Sequence, residues 1–530
     1  MKKPDSAVSS EALQHAEAGF FLSSAQAYNT VLNMPLVEAL AAYNQTNRLR
    51  FHTPGHHGKL PFSGNIALSS LLGGILPAET FRYDLSEVEG LDVLSAPEGC
   101  LREAQRLSAK AFGVAHSYFL VNGASVGLAA GMLSLLKPND KVLLARNVHR
   151  SVISGLILTG AIPVWFLPRQ LPEAGIWGDV SPDDIEACIN AQPDIRALIL
   201  TSPTYEGIGS DIEGILRVCK RYGVALMVDE AHGSLWPFSD KLPKSACHVE
   251  VSGQTCDLVV HSLHKSAGSL TQSAIAHLPK ASAILPERFQ EALNTLQTTS
   301  PSYLLMASLD AARAFLESPE GRESTNCLLE NVQRLRQAFK QSIRQFDIWE
   351  PPNQTLYDPS RLWIRHAQCP GNKWAVLIET KSPELLVSVA TQHLAPLLHQ
   401  PISPISYENA SPYGALYLCG LGLEADACQR FLETFQAWDA SDFNSELPGD
   451  EASHPQARLA QAFCLPETVM TPREAFFAES KTVSADQAIG EIAKQTVVHC
   501  PPGIAVLMPG ERITRAHLPH LPSTLQVVVL

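Results

Sequence analysis

Between about residues 100 and 280 the hydrophobic pattern alternates between two periods. Short continuous apolar runs read as buried strands: "SYFLVNG" (117–123), "KVLLARN" (141–147), "IPVWFLP" (162–168), "IRALILTSPT" (195–204), "VALMVDEAHG" (224–233) and "DLVV" (257–260). Between them lie segments with helical spacing. "CLREAQRLSAKAFG" stops at Gly113, "ASVGLAAGMLSLL" (124–136) starts directly after a strand, and "SVISGLILTG" (151–160) and "DDIEACINA" (183–191) follow. "IEGILRVCKRYG" stops at Gly223. Apolar strands separated by amphipathic helices predict an α/β fold with a mostly parallel sheet covered on both faces.

The pattern also divides the chain. Residues 1–30 read as an N-terminal arm, 31–320 as a large domain and 321–440 as a smaller domain of mixed strands and helices. The acidic, Pro- and Gly-broken stretch at 441–458 reads as a linker, and 459–530 as a C-terminal domain. Composition agrees with a globular enzyme-sized protein, since 45% of the residues are hydrophobic and only 18% are charged. A net charge of −13 argues against broad binding to nucleic acid. No apolar stretch approaches the roughly 20 residues needed to span a bilayer. The "AGFFL" piece near the N-terminus is too short and too late for a signal-peptide core, so a cytoplasmic location is expected. Eleven cysteines without a C-x-x-C pair suggest reduced thiols; neither a disulfide framework nor a metal site is expected.

Four strand ends carry the candidate chemistry, and in a sheet of this type they converge on one rim. "VNGASVG" places Asn122, Gly123, Ala124 and Ser125 at a helix start whose free N–H groups suit an anionic phosphate; an ordinary capped turn reads the same way. His149 follows the second strand. Asp229 ends "VALMVD", where a buried carboxylate asks for a cation, an N-cap role being the alternative. His264 and Lys265 follow "DLVVHSL". A phosphate, a flat ring for a histidine to cover, a protonated ring nitrogen and an aldehyde for the lysine are together the features of pyridoxal 5′-phosphate (PLP). No P-loop is present, and no G-x-G-x-x-G follows a strand.

Several motifs, in order along the chain, resemble those of the fold-type-I, PLP-dependent Orn/Lys/Arg decarboxylase family. They are "FHTPGHHGK" (51–59), "DLSEVEGLDVLSAPEGCLREAQ" (84–105), "FLVNGASVG", "LTSPTYEGIGSDI", "VDEAHG" and "SLHKSAGSLTQSA", followed by "TPREAFFAES" (471–480) and "CPPGIAVLMPGERIT" (500–514). The resemblance implies an aspartate-aminotransferase-like large domain, smaller α+β C-terminal domains, and decarboxylation of arginine, lysine or ornithine to the corresponding polyamine-type amine. It assigns Lys265 to the Schiff base with PLP, Asp229 to the pyridine nitrogen, and His149 and Ala231 to the two faces of the ring. It assigns Ala124 (through its backbone), Ser125, Ser262 and His264 to the phosphate, and His232 to the ring hydroxyl or substrate carboxylate. Glu511 is the candidate for the substrate's distal cation, a surface or salt-bridged acid being the alternative; His261 is expected to be structural, on the opposite strand face.

The resemblance further implies that "TTSPSY" (298–303) reaches the cofactor across the interface of a homodimer. The first family motif begins at residue 51, which leaves no room for the receiver-like wing of the large bacterial members, so a decamer is not expected. The chain departs from the family pattern at His57-Gly58-Lys59, in "LDVLSAPEG" and at His499-Cys500, all on the expected substrate side. Another fold-type-I enzyme (an aminotransferase or decarboxylase-oxidase) and a non-catalytic relative are the competing readings.

Overall fold

A computed structural model of the chain describes residues 32–46, 48–61, 64–352, 354–366, 405–411, 413–440, 465–499 and 503–529. The expected arm at 1–30 and the expected linker at 441–458 lie outside the described residues. The chain divides into two compact units, one comprising Thr30–Arg322, Pro351–Asp358 and His454–Leu530, the other Glu323–Glu350 and Pro359–Ser453 with Met1–Asn29.

The first unit is built on seven strands: β1 (His116–Leu120), β2 (Lys141–Ala145), β3 (Ile162–Phe166), β4 (Ile195–Thr201), β5 (Ala225–Asp229), β6 (Leu258–His261) and β7 (Ala274–Leu278). Their order across the sheet is β1-β7-β6-β5-β4-β2-β3. Only β7 runs against the rest, pairing antiparallel with both β1 and β6. All four residues of β6 are buried, as both-face coverage of a mostly parallel sheet requires.

Helices α1 (Cys100–Ala111), α2 (Gly123–Leu135), α3 (Arg150–Thr159) and α4 (Ile212–Tyr222) connect or flank these strands, and α5 (Pro286–Leu296) packs on α2. The α2 segment has no polar face: Val126 to Met132 are all buried, because the helix lies between the sheet and its neighbours α3 and α5. In α4 the apolar stripe Ile212, Ile215, Leu216 and Cys219 is buried, and Gly223 ends the helix in the left-handed conformation with φ 70°.

In the other unit, helix α6 (Pro319–Ser342), which begins in the first, accompanies a four-stranded antiparallel sheet. Its strands are β8 (Phe346–Ile348), β9 (Arg361–His366), β10 (Asn409–Ser411) and β11 (Gly414–Leu418), in the order β8-β9-β11-β10. Phe339, Phe346 and Tyr417 pack around Phe435 of α7 (Ala425–Ala440) to form its aromatic core.

Residues after 465 cluster with the large sheet rather than with the four-stranded one. Helix α8 (Pro472–Phe477) starts with a complete Thr471–Glu474 capping box and packs on α3, where Arg473 donates to the carbonyls of Ile157 and Leu158. Ala505 and Met508 bury against Ile153 of α3. Among the described residues no helix is long and apolar enough to cross a membrane.

Candidate active site

The parallel strands deliver their carboxyl ends to one rim, and register fixes which residues meet there. Asp229, the last residue of β5, lies opposite Thr201 of β4 and Val260 of β6. It is buried, and its Oδ1 accepts the Ala231 amide at 3.2 Å. Beyond β6 the chain turns through the 3-10 segment Leu263–Lys265, which brings Lys265 Nζ to 2.6 Å from His232 Nε2. His232 is buried, with the ring of Tyr205 edge-on at 4.7 Å.

His149 is the N-cap of α3; its Nδ1 accepts the Ser151 amide at 3.2 Å and meets the Ser151 hydroxyl at 2.9 Å. Burial lowers its pKa; the Asp229 carboxylate pulls the other way and Lys265 reinforces the lowering, so all three groups share one electrostatic environment. A lone pair committed to an amide and a lowered pKa both describe a neutral imidazole at physiological pH.

The phosphate candidates occupy two neighbouring turns. Gly123 takes φ +76°, a conformation glycine enters without cost, and turns the chain from β1 into α2. Ala124 is half-buried and Ser125 exposed in the first turn, where helical amides lack intrahelical acceptors. Gln272 reaches back to the Val121 carbonyl at 2.7 Å, tying the segment before β7 to this turn. Ser262 is buried at the head of the 3-10 turn, and His264 Nδ1 bonds the Ser273 carbonyl at 2.9 Å. The Thr298 amide donates to Asn122 Oδ1 at 3.2 Å, so the 298–303 segment begins beside the same helix start.

The rim fits a ligand with polar edges. Thr201 Oγ1, in register with Asp229, and Asn147 Oδ1, just past β2, are buried without hydrogen-bond partners among the described residues. Orphaned polar atoms on adjacent strand ends are expected where a polar group completes the site.

Glu511 does not fit its expected role. It is 1% exposed, and its carboxylate takes both arms of Arg146, at 2.5 and 2.9 Å, together with the Met508 amide at 2.8 Å. A buried carboxylate whose charge is already neutralised by a bidentate arginine has little left to offer a substrate cation. Two groups escaped the sequence reading. Tyr205 packs on His232, and the adjacent Glu206 is buried, which pushes its carboxyl pKa up to about 7 against the pull of its own amide and Thr204. Their sequence signals were their place just after a strand end and within the family-like motif "LTSPTYEGIGSDI", neither of which assigned them a role.

An α/β unit with a lysine, an aspartate and a neutral histidine converging on its strand ends defines a site for acting on a small bound molecule. The chain matches the Orn/Lys/Arg decarboxylase major domain over residues 34–382 and the C-terminal domain of the same family over 453–524, and it belongs to that family. It is therefore an enzyme of the amino acid decarboxylase class.

An arginine decarboxylase from Bacillus anthracis is 30% identical over 506 residues, 93% of each chain, and one from Bacillus subtilis is 30% identical over 92% of each. The lysine decarboxylase LdcA of Pseudomonas aeruginosa is 26% identical over 93% of this chain and 76% of its own length. Among solved structures, the Francisella novicida lysine decarboxylase LdcF superposes with a TM-score of 0.76 at 20% identity, over 94% of this chain and 81% of that one. The Escherichia coli constitutive lysine decarboxylase gives 0.75 at 22%, over 94% and 82%. The fold is thus the fold-type-I architecture expected from the sequence.

Proposed function

We propose that the protein decarboxylates L-arginine to agmatine and CO2 with pyridoxal 5′-phosphate as cofactor. The observation that carries the reading is the contact between Lys265 Nζ and His232 Nε2 beside the buried Asp229 carboxylate. Arginine is preferred because relatives that align along about nine-tenths of both chains are arginine decarboxylases. PLP, when bound, supplies an aldehyde that condenses with amines and a ring that accepts an electron pair.

Each residue then has a task. Lys265 would hold the cofactor covalently through its amine. Asp229, aimed by the Ala231 amide, keeps a proton on the ring nitrogen. Neutral His149 would cover one ring face and Ala231 the other. The amides at the start of α2 (Ala124 and Ser125), with Ser262 and His264, bind the phosphate. His232 Nε2 and Lys265 Nζ, 2.6 Å apart, could pass a proton between them, and either would be placed to deliver one to the substrate Cα. Glu511 is left out of this scheme. The functional unit is a cytoplasmic homodimer whose partner completes the site near the 298–303 segment, and the product is a polyamine precursor.

The test is borohydride reduction followed by peptide mapping, with kcat/KM measured for arginine, lysine and ornithine. A reduced pyridoxyl group on Lys265 and the highest kcat/KM for arginine are expected. A label on another lysine would overturn the site; a preference for lysine or ornithine would overturn the substrate.

A further inference from the structure

Behind the active-site rim lies a second group of buried ligands to which the decarboxylation scheme gives no work. His261 ends β6, and its cross-strand partner is Ile275; His277, two residues further along β7, lies on the same sheet face. Ser117 of β1 sits opposite His277 in register, so it too lies on that face. Glu230 follows Asp229 and is directed away from the rim, toward His261. Cys247 comes from the short 3-10 turn Ala246–His248. Both histidines are 0% exposed and Cys247 is 5% exposed. One donor atom from each of Cys247, His261 and His277 lies within 4.8 Å of the other two.

The hydrogen bonds around these rings leave specific lone pairs. His261 Nε2 donates to Glu230 Oε2 at 2.7 Å, and in the neutral ring this leaves Nδ1 with a free lone pair. His277 Nδ1 is 2.8 Å from Ser117 Oγ, which can take its proton and leave Nε2 unprotonated. His261 Nδ1 and His277 Nε2 are both buried with no hydrogen-bond partner among the described residues. Leaving two buried imidazole nitrogens unsatisfied costs roughly 1–3 kcal/mol each. Glu230 also accepts from Ser245 Oγ at 2.5 Å and from the Ala246 amide at 3.0 Å, so the same carboxylate orients His261 and anchors the turn that presents Cys247. A carboxylate behind one histidine and a hydroxyl behind the other is the outer shell that metal-bound imidazoles require.

We propose that Cys247, His261 and His277 bind a thiophilic d10 metal ion, Zn2+ or Cu+. One thiolate and two imidazoles suit such ions, and bond lengths of 2.0–2.3 Å place donors about 3.3–3.8 Å apart. Rotations that shift the present donor atoms by about 1 Å close the set. Binding forms one metal–sulfur and two metal–nitrogen bonds and releases the Cys247 proton to solvent. Zn2+ with the Cys247 thiolate and the Glu230 carboxylate sums to zero charge, whereas Cu+ with the same two groups leaves one negative charge. The zero balance favours Zn2+ for a fully buried site. The ion would cross-link β6, β7 and the 245–248 turn, fixing the end of β5 from the face away from the substrate. Because the ligands are buried, it enters during folding.

The test uses untagged full-length holoenzyme expressed with added zinc or with added copper. Metal content is measured after exposure to EDTA in the zinc arm and to bicinchoninate in the copper arm. Wild type is expected to retain about one ion per chain in one arm, and X-ray absorption at that metal's edge should show one sulfur and two nitrogen neighbours. Cys247→Ser and, separately, His277→Gln should lose the ion. Wild type without stoichiometric metal in both arms, a coordination shell without sulfur, or variants that retain as much metal as wild type would overturn the proposal. The absorption spectrum of wild type alone decides the matter if a variant does not fold.

Discussion

At the scale of single residues, His232 lies against Lys265 Nζ and Glu206 is a buried carboxyl with a raised pKa. Replacing His232 with Gln removes the group 2.6 Å from Lys265 Nζ. Turnover should fall by roughly 10²–10⁴-fold, as for a lost general acid–base, with KM nearly unchanged in steady-state assays. Glu206 makes a pH-dependent contribution whose sign is fixed by its pKa, raised from 4.5 to about 7. The folded state holds this proton more tightly than the unfolded chain, so the associated stability is complete below pH 4.5 and is lost as pH rises through 7. Glu206→Gln should remove that slope, gaining on wild type by about 3 kcal/mol across the window in chemical denaturation at several pH values.

Lys265 and Asp229 were readable as candidates because each is a costly polar residue directly after an apolar strand. For Glu511 the sequence left a substrate-binding and a salt-bridged reading open, because the partner the structure gives it, Arg146, lies 365 positions away and no local pattern marks the pair. His261 was expected to be structural, yet its neighbour His277 and the Cys247 turn come from other segments, so no ligand spacing shows in the sequence.

At the scale of elements, the two hydrophobic periods placed six of the seven strands of the large sheet and the helices between them within a few residues, because burial on both faces leaves uninterrupted apolar runs; β7 and α5 were not read. The periods carry no information on pairing. That β7 is the one reversed strand, inserted between β1 and β6, was not visible in its composition. The turn into α2 is where local backbone and function meet. A Cβ on Gly123 would come no closer than 3.9 Å to its nearest neighbour, Gln272 O, so a substitution there is opposed by φ +76° and not by crowding. Gly123→Ala should destabilise the fold by about 1–2 kcal/mol in denaturant titration. It should also weaken PLP binding, read as a higher PLP concentration for half-maximal activity, because the first amides of α2 shift.

At the scale of the whole unit, a buried ion pair adds to the packing and hydrogen bonds that fasten the last segment of the chain to the large sheet. Arg146, just past β2, donates to Glu511 and to the Val506 carbonyl and lies 5.3 Å from the centre of the Trp165 ring. Removing one partner leaves the other charge buried and alone, at a cost of about 3–5 kcal/mol. Glu511→Gln should therefore lower Tm strongly while the KM for arginine, measured below the transition, stays near wild type. A large rise in KM without loss of stability would restore Glu511 to the substrate pocket.

The central claim is that this site removes CO2 from a basic amino acid through Lys265. It is tested most directly by incubating purified, PLP-loaded protein with L-arginine and quantifying gas, amine and keto acid together. CO2 and agmatine in equal amounts from wild type, and neither from Lys265→Ala, are predicted. A 2-keto acid without CO2, or undiminished CO2 release by Lys265→Ala, would contradict it.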